Sequence, residues 1–153
     1  MANEAYRAVF LRVHPTGKMV LSLTTEPDGK ESEYAQLVAD ELGVPALYVK
    51  VVPVDTDRFG VGHGFNTTPS EGTPAAIVSA AEKIRAKAQL LAGMALEAAP
   101  ESLTWVNGAW AGDGGSDPTQ VKTIEELALY AHGTGALPPG VEGGLDAQTV
   151  YTG

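Results

Sequence analysis

His63 is the side chain best suited to proton transfer at neutral pH. It lies in the run Gly60-Val61-Gly62-His63-Gly64, within eight residues of Asp55, Asp57 and Arg58. An imidazole titrates near pH 6.5 and serves as general base or acid when a carboxylate orients it. His63 and Asp57 are therefore candidate catalytic residues, whereas Asp55 suits a turn cap. The plain alternative is a loop histidine bonded to its own neighbours. Upstream, Glu26, Asp28, Lys30 and Glu31 place carboxylates beside an ammonium, a combination that moves a proton or grips a carboxylate. Glu26 is the third catalytic candidate. Lys30, Arg58, Asn66, Thr67, Thr68 and Ser70 offer the charge, amide and hydroxyls of a substrate-binding set.

Other chemistries are excluded by spacing. His14, His63 and His132 form no zinc-type pair, and the chain has no cysteine, so no metal site is expected. The glycine loop has neither a Walker lysine pattern nor a helix-opening GxGxxG. Ser70 lacks the nucleophile elbow. With 19 Asp+Glu against 10 Lys+Arg, the net charge is −9, which argues against a phosphate-tracking surface and against nucleic acid as a partner. Apolar runs fall well short of a membrane span, and Glu4 stands where a leader peptide needs a basic flank. The sequence reads as cytoplasmic.

The elements that must position these residues follow from periodicity. Residues 5–14 and 18–25 alternate apolar and polar about Pro15-Thr16-Gly17 and predict a β-hairpin. Ser32 is a candidate N-cap for a helix carrying Tyr34, Leu37, Val38 and Leu42 and ending at Gly43. Residues 46–54 predict a third strand with Pro53 marking an edge. Residues 55–73 have no periodicity, and a loop of that length in a compact domain is usually functional or disordered. Thr73-Pro74 opens a long Ala-rich helix to about residue 98. Asn107-Gly108 predicts a hairpin with Trp105 and Trp110 as cross-strand partners. Thr123 to Ala131 predicts a short helix, and residues 145–152 a last strand. The expected fold is α+β, a small mixed sheet with hairpins, with the long helix and shorter helices packed on one face of a single domain spanning 1–153.

The run EYAQLVADELGVPALYVKVVPVDTDR, then AAEKIRAKAQLLA and ESLTWVNGAWA, resembles the large, molybdenum-binding subunit of the xanthine oxidase and carbon-monoxide dehydrogenase family. The match covers roughly residues 5–151 and falls at the start of that subunit's second molybdopterin-binding domain. The resemblance implies a Gly-Gln-Gly motif before the first helix, its Gln amide bonded to the cofactor. Here the corresponding stretch is Pro27-Asp28-Gly29-Lys30-Glu31, shortened and without the Gln. It also implies a Gly-Ser-Arg-Ser-like stretch at the pterin, which falls on Asn66-Thr67-Thr68-Pro69. Thr67 keeps a hydroxyl, but the Arg is replaced.

From these departures the expectation is a cofactor-free derivative of the domain. It would bind or transform a small organic molecule by acid–base chemistry of the isomerase, cyclase or dehydratase type. Its apolar faces would be covered in a homodimer. The alternative is a split or accessory subunit of a molybdenum hydroxylase, sharing molybdopterin with the other subunits.

Overall fold

The computed structural model describes residues 6–14, 16–25, 29–53, 72–106, 108–112, 120–133 and 145–152. β1 (Tyr6–Val13) and β2 (Met19–Leu23) form an antiparallel hairpin in the register Val9↔Leu23, Leu11↔Leu21 and Val13↔Met19. These six side chains are at most 1% exposed, because the two-residue period of a strand sends alternate positions to one face. α1 (Glu31–Leu42) follows and buries Tyr34, Ala35, Val38, Ala39 and Leu42 at helical spacing. It stops at Gly43, whose φ of 67° brings its N–H back to the Ala39 carbonyl.

A 3₁₀ turn at Ala46–Tyr48 leads into β3 (Val49–Val52), parallel to β2. The third strand thus begins later than residue 46, where Pro45 starts the tight turn. α2 (Thr73–Leu96) carries the small-residue stripe Ala76, Ala80, Ala81, Ala88 and Ala92 with Ile77, Ile84 and Leu91, all buried. Small side chains let it lie close to β1, α1 and the final strand β7 (Leu145–Thr152). β7 pairs antiparallel with β1, so the sheet order is β3-β2-β1-β7, a mixed sheet with α1 and α2 on one face.

The predicted α+β arrangement is present, with one addition. β4 (Thr104–Val106), β5 (Ala109–Ala111) and β6 (Val121–Thr123) form a separate three-stranded antiparallel sheet. The tryptophans pair across β4 and β5 as expected, edge to face with centroids 5.3 Å apart. The Trp110 indole N–H also donates to the Arg85 carbonyl at 3.0 Å, joining this sheet to α2. α3 (Ile124–Gly133) opens on a reciprocal capping box, with Glu126 N–H donating to Thr123 Oγ1 and Thr123 N–H to Glu126 Oε1, each at 3.1 Å. Among the described residues, no helix is long and apolar enough to cross a membrane.

Candidate functional site

Strand direction sets which end of the layer carries polar chemistry. β2 and β3 run parallel, so Thr24-Thr25 and Pro53 leave the sheet at the same end. α1 starts there, and so does α2, because Thr73 at its first turn meets Tyr151 near the end of β7. The carboxyl ends of parallel strands and the amino ends of the following helices therefore share one pole, the usual ligand side of an α/β layer. A groove of about 420 Å³ starts beside it at Glu31 and Ser32 and runs between α1 and β3 to the 79%-exposed Leu47.

A buried polar cluster closes the pole. Thr73 Oγ1 and the Tyr151 hydroxyl are 2.6 Å apart, and Tyr151 also hydrogen-bonds Thr25. Thr73 and Thr25 are 0% and 1% exposed. Arg7, opposite Tyr151 in the β1–β7 register, is buried as well. Burial pushes the Tyr151 phenol above its ordinary value, while the bonds to Thr73 and Thr25 and the Arg7 charge pull the other way. The phenol stays protonated at neutral pH. Thr24 ties β2 to β1 beyond the regular ladder, accepting from Ala8 N–H at 3.0 Å.

The two helix starts differ in charge. α1 takes Lys30 as N-cap, not Ser32, with no capping side chain and with Glu31 and Glu33 in its first turn. α2 takes Gly72 as N-cap, again with no capping side chain, and has no acid in its first turn. Helix starts leave N–H groups unpaired and carry positive partial charge, so the start of α2 is the better seat for an anion. At Gly29, with φ 79°, no described atom beyond its chain neighbours lies within 4 Å of where a Cβ would stand.

Of the nine residues singled out in the sequence, Lys30 is at this pole, solvent-exposed. Glu26, Asp57, Arg58, His63, Asn66, Thr67, Thr68 and Ser70 lie outside the described residues. The described residues flanking them, Thr25 and Gly29, Pro53 and Gly72, stand at the ends of the elements that converge here. Sequence reasoning missed Tyr151, Thr25 and Arg7. Arg7 was legible by parity, since it shares the core face with Val9, Leu11 and Val13. Among the described residues no group of three or more His, Asp or Glu side chains is placed to hold a metal ion.

The model of the molybdopterin cofactor-binding domain matches residues 1–153. The carbon monoxide dehydrogenase large chain of Afipia carboxidovorans is 36% identical over 146 residues, covering 92% of this chain and 17% of that one. Among solved structures, reconstituted CO dehydrogenase from Oligotropha carboxidovorans superposes with a TM-score of 0.79 at 32% identity, over 96% of this chain and 18% of that one. The Cu,Mo-CO dehydrogenase in its carbon monoxide reduced state gives 0.78 at 35% identity, over 98% and 19%. The chain thus spans about a fifth of the proteins it matches.

These findings overturn the expectation of a cofactor-free derivative and the isomerase or cyclase reading built on it. A missing Gln amide removes one donor and leaves the rest of the domain in place. The pole still presents what the polar and anionic parts of a phosphorylated pterin require: two helix starts whose N-cap residues make no side-chain cap bond, the Lys30 ammonium, and, among the described residues, open space at Gly29. The donor set fits the group, and the match runs the full length of the sequence. This chain belongs to the molybdopterin cofactor-binding domain family.

Proposed function

We propose that residues 1–153 act as one domain that forms a wall of a molybdopterin site in a molybdenum hydroxylase-type oxidoreductase, the rest of the site coming from outside these residues. The observation that carries this reading is the convergence of both helix starts, neither capped by a side chain, on the pole where the parallel strands end. The start of α2, free of acids, would take the anionic phosphate end, with Lys30 neutralising charge from the side. The start of α1, flanked by Glu31 and Glu33, suits the amino and ring N–H groups of the pterin. When bound, the group supplies two-electron redox chemistry at its metal. This chain's part is to bind, orient and screen it.

Within this reading Arg58, Asn66, Thr67, Thr68 and Ser70 are proposed further ligand contacts, and His63, Asp57 and Glu26 proposed proton-handling groups. The partners it calls for are other molybdenum hydroxylase chains. Equilibrium dialysis of the purified chain against molybdopterin freshly released from a molybdenum hydroxylase, under anaerobic conditions, tests it directly. Excess pterin in the protein chamber, reduced in Lys30→Glu, is the expected result. Equal pterin in both chambers would overturn the proposal.

A further inference from the structure

α2 and β7 are joined by a row of side-chain bonds. Lys83 Nζ donates to the Gln148 carbonyl at 2.9 Å and to Thr149 Oγ1 at 3.1 Å, and Thr149 donates to Ser79 Oγ at 3.4 Å. These lie along the body of the helix. The Thr73–Tyr151 bond differs because it sits at the pole and because Tyr151 also reaches Thr25, where the chain leaves β2. One phenol thereby joins the start of α2, the end of β2 and the last strand. Its O–H donates once and its oxygen accepts, which satisfies two threonine hydroxyls that are almost wholly buried.

We infer that Tyr151 is a positioning residue for the cofactor wall, a latch that sets where the first turn of α2 stands relative to the chain leaving β2. This rests on the reading of the pole as a molybdopterin site. At the start of α2 the N-cap residue Gly72 makes no side-chain cap bond, and Pro74 brings no N–H. The Thr73 hydroxyl, held on Tyr151, ties this turn to a strand outside the helix. Unpaired N–H groups bind an anion well only when they are aimed before it arrives. Without the phenol oxygen, Thr73 and Thr25 would turn their hydroxyls elsewhere, and the first turn of α2 would fray.

The test combines native-state hydrogen exchange with pterin dialysis on the same variants. Tyr151→Phe and Thr73→Val should each speed exchange at Ala76 and Ile77 about tenfold, the scale of one lost hydrogen bond, with Ala88 to Ala92 unchanged. Each should weaken pterin retention by about the same factor. Thr73→Ser should restore both, and the double variant should be no worse than either single one. Unchanged exchange at the first turn, faster exchange with unaltered retention, or uniformly faster exchange along all of α2 would each overturn the inference. If the unmodified chain retains no pterin while Tyr151→Phe still loosens the first turn, the reading of the pole has failed and the cofactor role of the latch falls with it. The two failures are thus distinguishable.

Discussion

Gly108 sits where the small sheet meets α1, and replacing it by alanine measures that junction. Its φ is +80°, a region that costs an L-residue about 1–2 kcal/mol. A Cβ there would stand 2.6 Å from the Gly43 carbonyl oxygen and 3.0 Å from that of Leu42. Both are backbone atoms at the end of α1, so neither can swing aside, and overpacking of this kind costs about 1–3 kcal/mol more. Gly108→Ala should therefore cost about 3 kcal/mol, or about 6–12 °C in Tm for a chain of this size. Gly29→Ala supplies the control. Its φ is +79°, but open space surrounds it, so the conformational cost of about 1 kcal/mol stands alone. Urea unfolding followed by Trp105 and Trp110 fluorescence reads both variants, with the reporters on the strands either side of Gly108. Equal losses in the two variants, or less than about 1 kcal/mol in Gly108→Ala, would refute the close approach of the hairpin to the α1 terminus.

Three further outcomes follow from named groups. Ser22, fully buried in β2 with an unpartnered hydroxyl, should tolerate Ser22→Ala with a gain of about 1 kcal/mol, and a lowered urea midpoint would contradict this. Thr123→Ala should cost about 1 kcal/mol by opening the α3 capping box, while Thr123→Ser stays within a few tenths, both read by thermal melting. Because burial holds the folded Tyr151 pKa above its unfolded value of 10.0, the stability it contributes is complete below pH 10 and is lost as pH rises through the folded pKa. Stability measured from pH 8 to 11 should fall less steeply in Tyr151→Phe, and parallel curves would remove this phenol as the cause.

Elements with strong local signals were legible. Val9, Leu11 and Val13 against Met19, Leu21 and Leu23 showed the hairpin, and the tryptophans about Asn107-Gly108 showed a second. β6 was not, because three residues, Val121 to Thr123, are too short for alternation to show and, among the described residues, only one neighbour, β5, defines them. The start of α2 was displaced by one residue. Thr73 has the chemistry of a cap, yet its hydroxyl is spent on Tyr151, 78 positions away, and Gly72 takes the N-cap place. That distance is also why the polar cluster stayed hidden: Arg7, Thr25, Thr73 and Tyr151 come from β1, the chain leaving β2, α2 and β7, and share no motif. The resemblance located the family correctly, but the absent Gln turned the cofactor expectation the wrong way. An amide is one donor among many, and the convergence of two helix starts on one pole leaves no mark in a sequence.

The β1–β7 ladder matches the first described strand to the last, from Tyr6↔Thr152 to Val13↔Leu145. During synthesis β1 can find β2 within a few residues, but its other edge stays bare until residues 145–152 have left the ribosome. Such long-range pairing is slow, and an open strand edge invites pairing with the wrong chain. The helix side of the sheet is also incomplete until then, since β7 supplies Leu145 and much of the surface on which α2 lies. Chains halted before residue 145 should therefore be the ones that aggregate and need chaperones, and β7 acts as the clasp that ends this vulnerable interval.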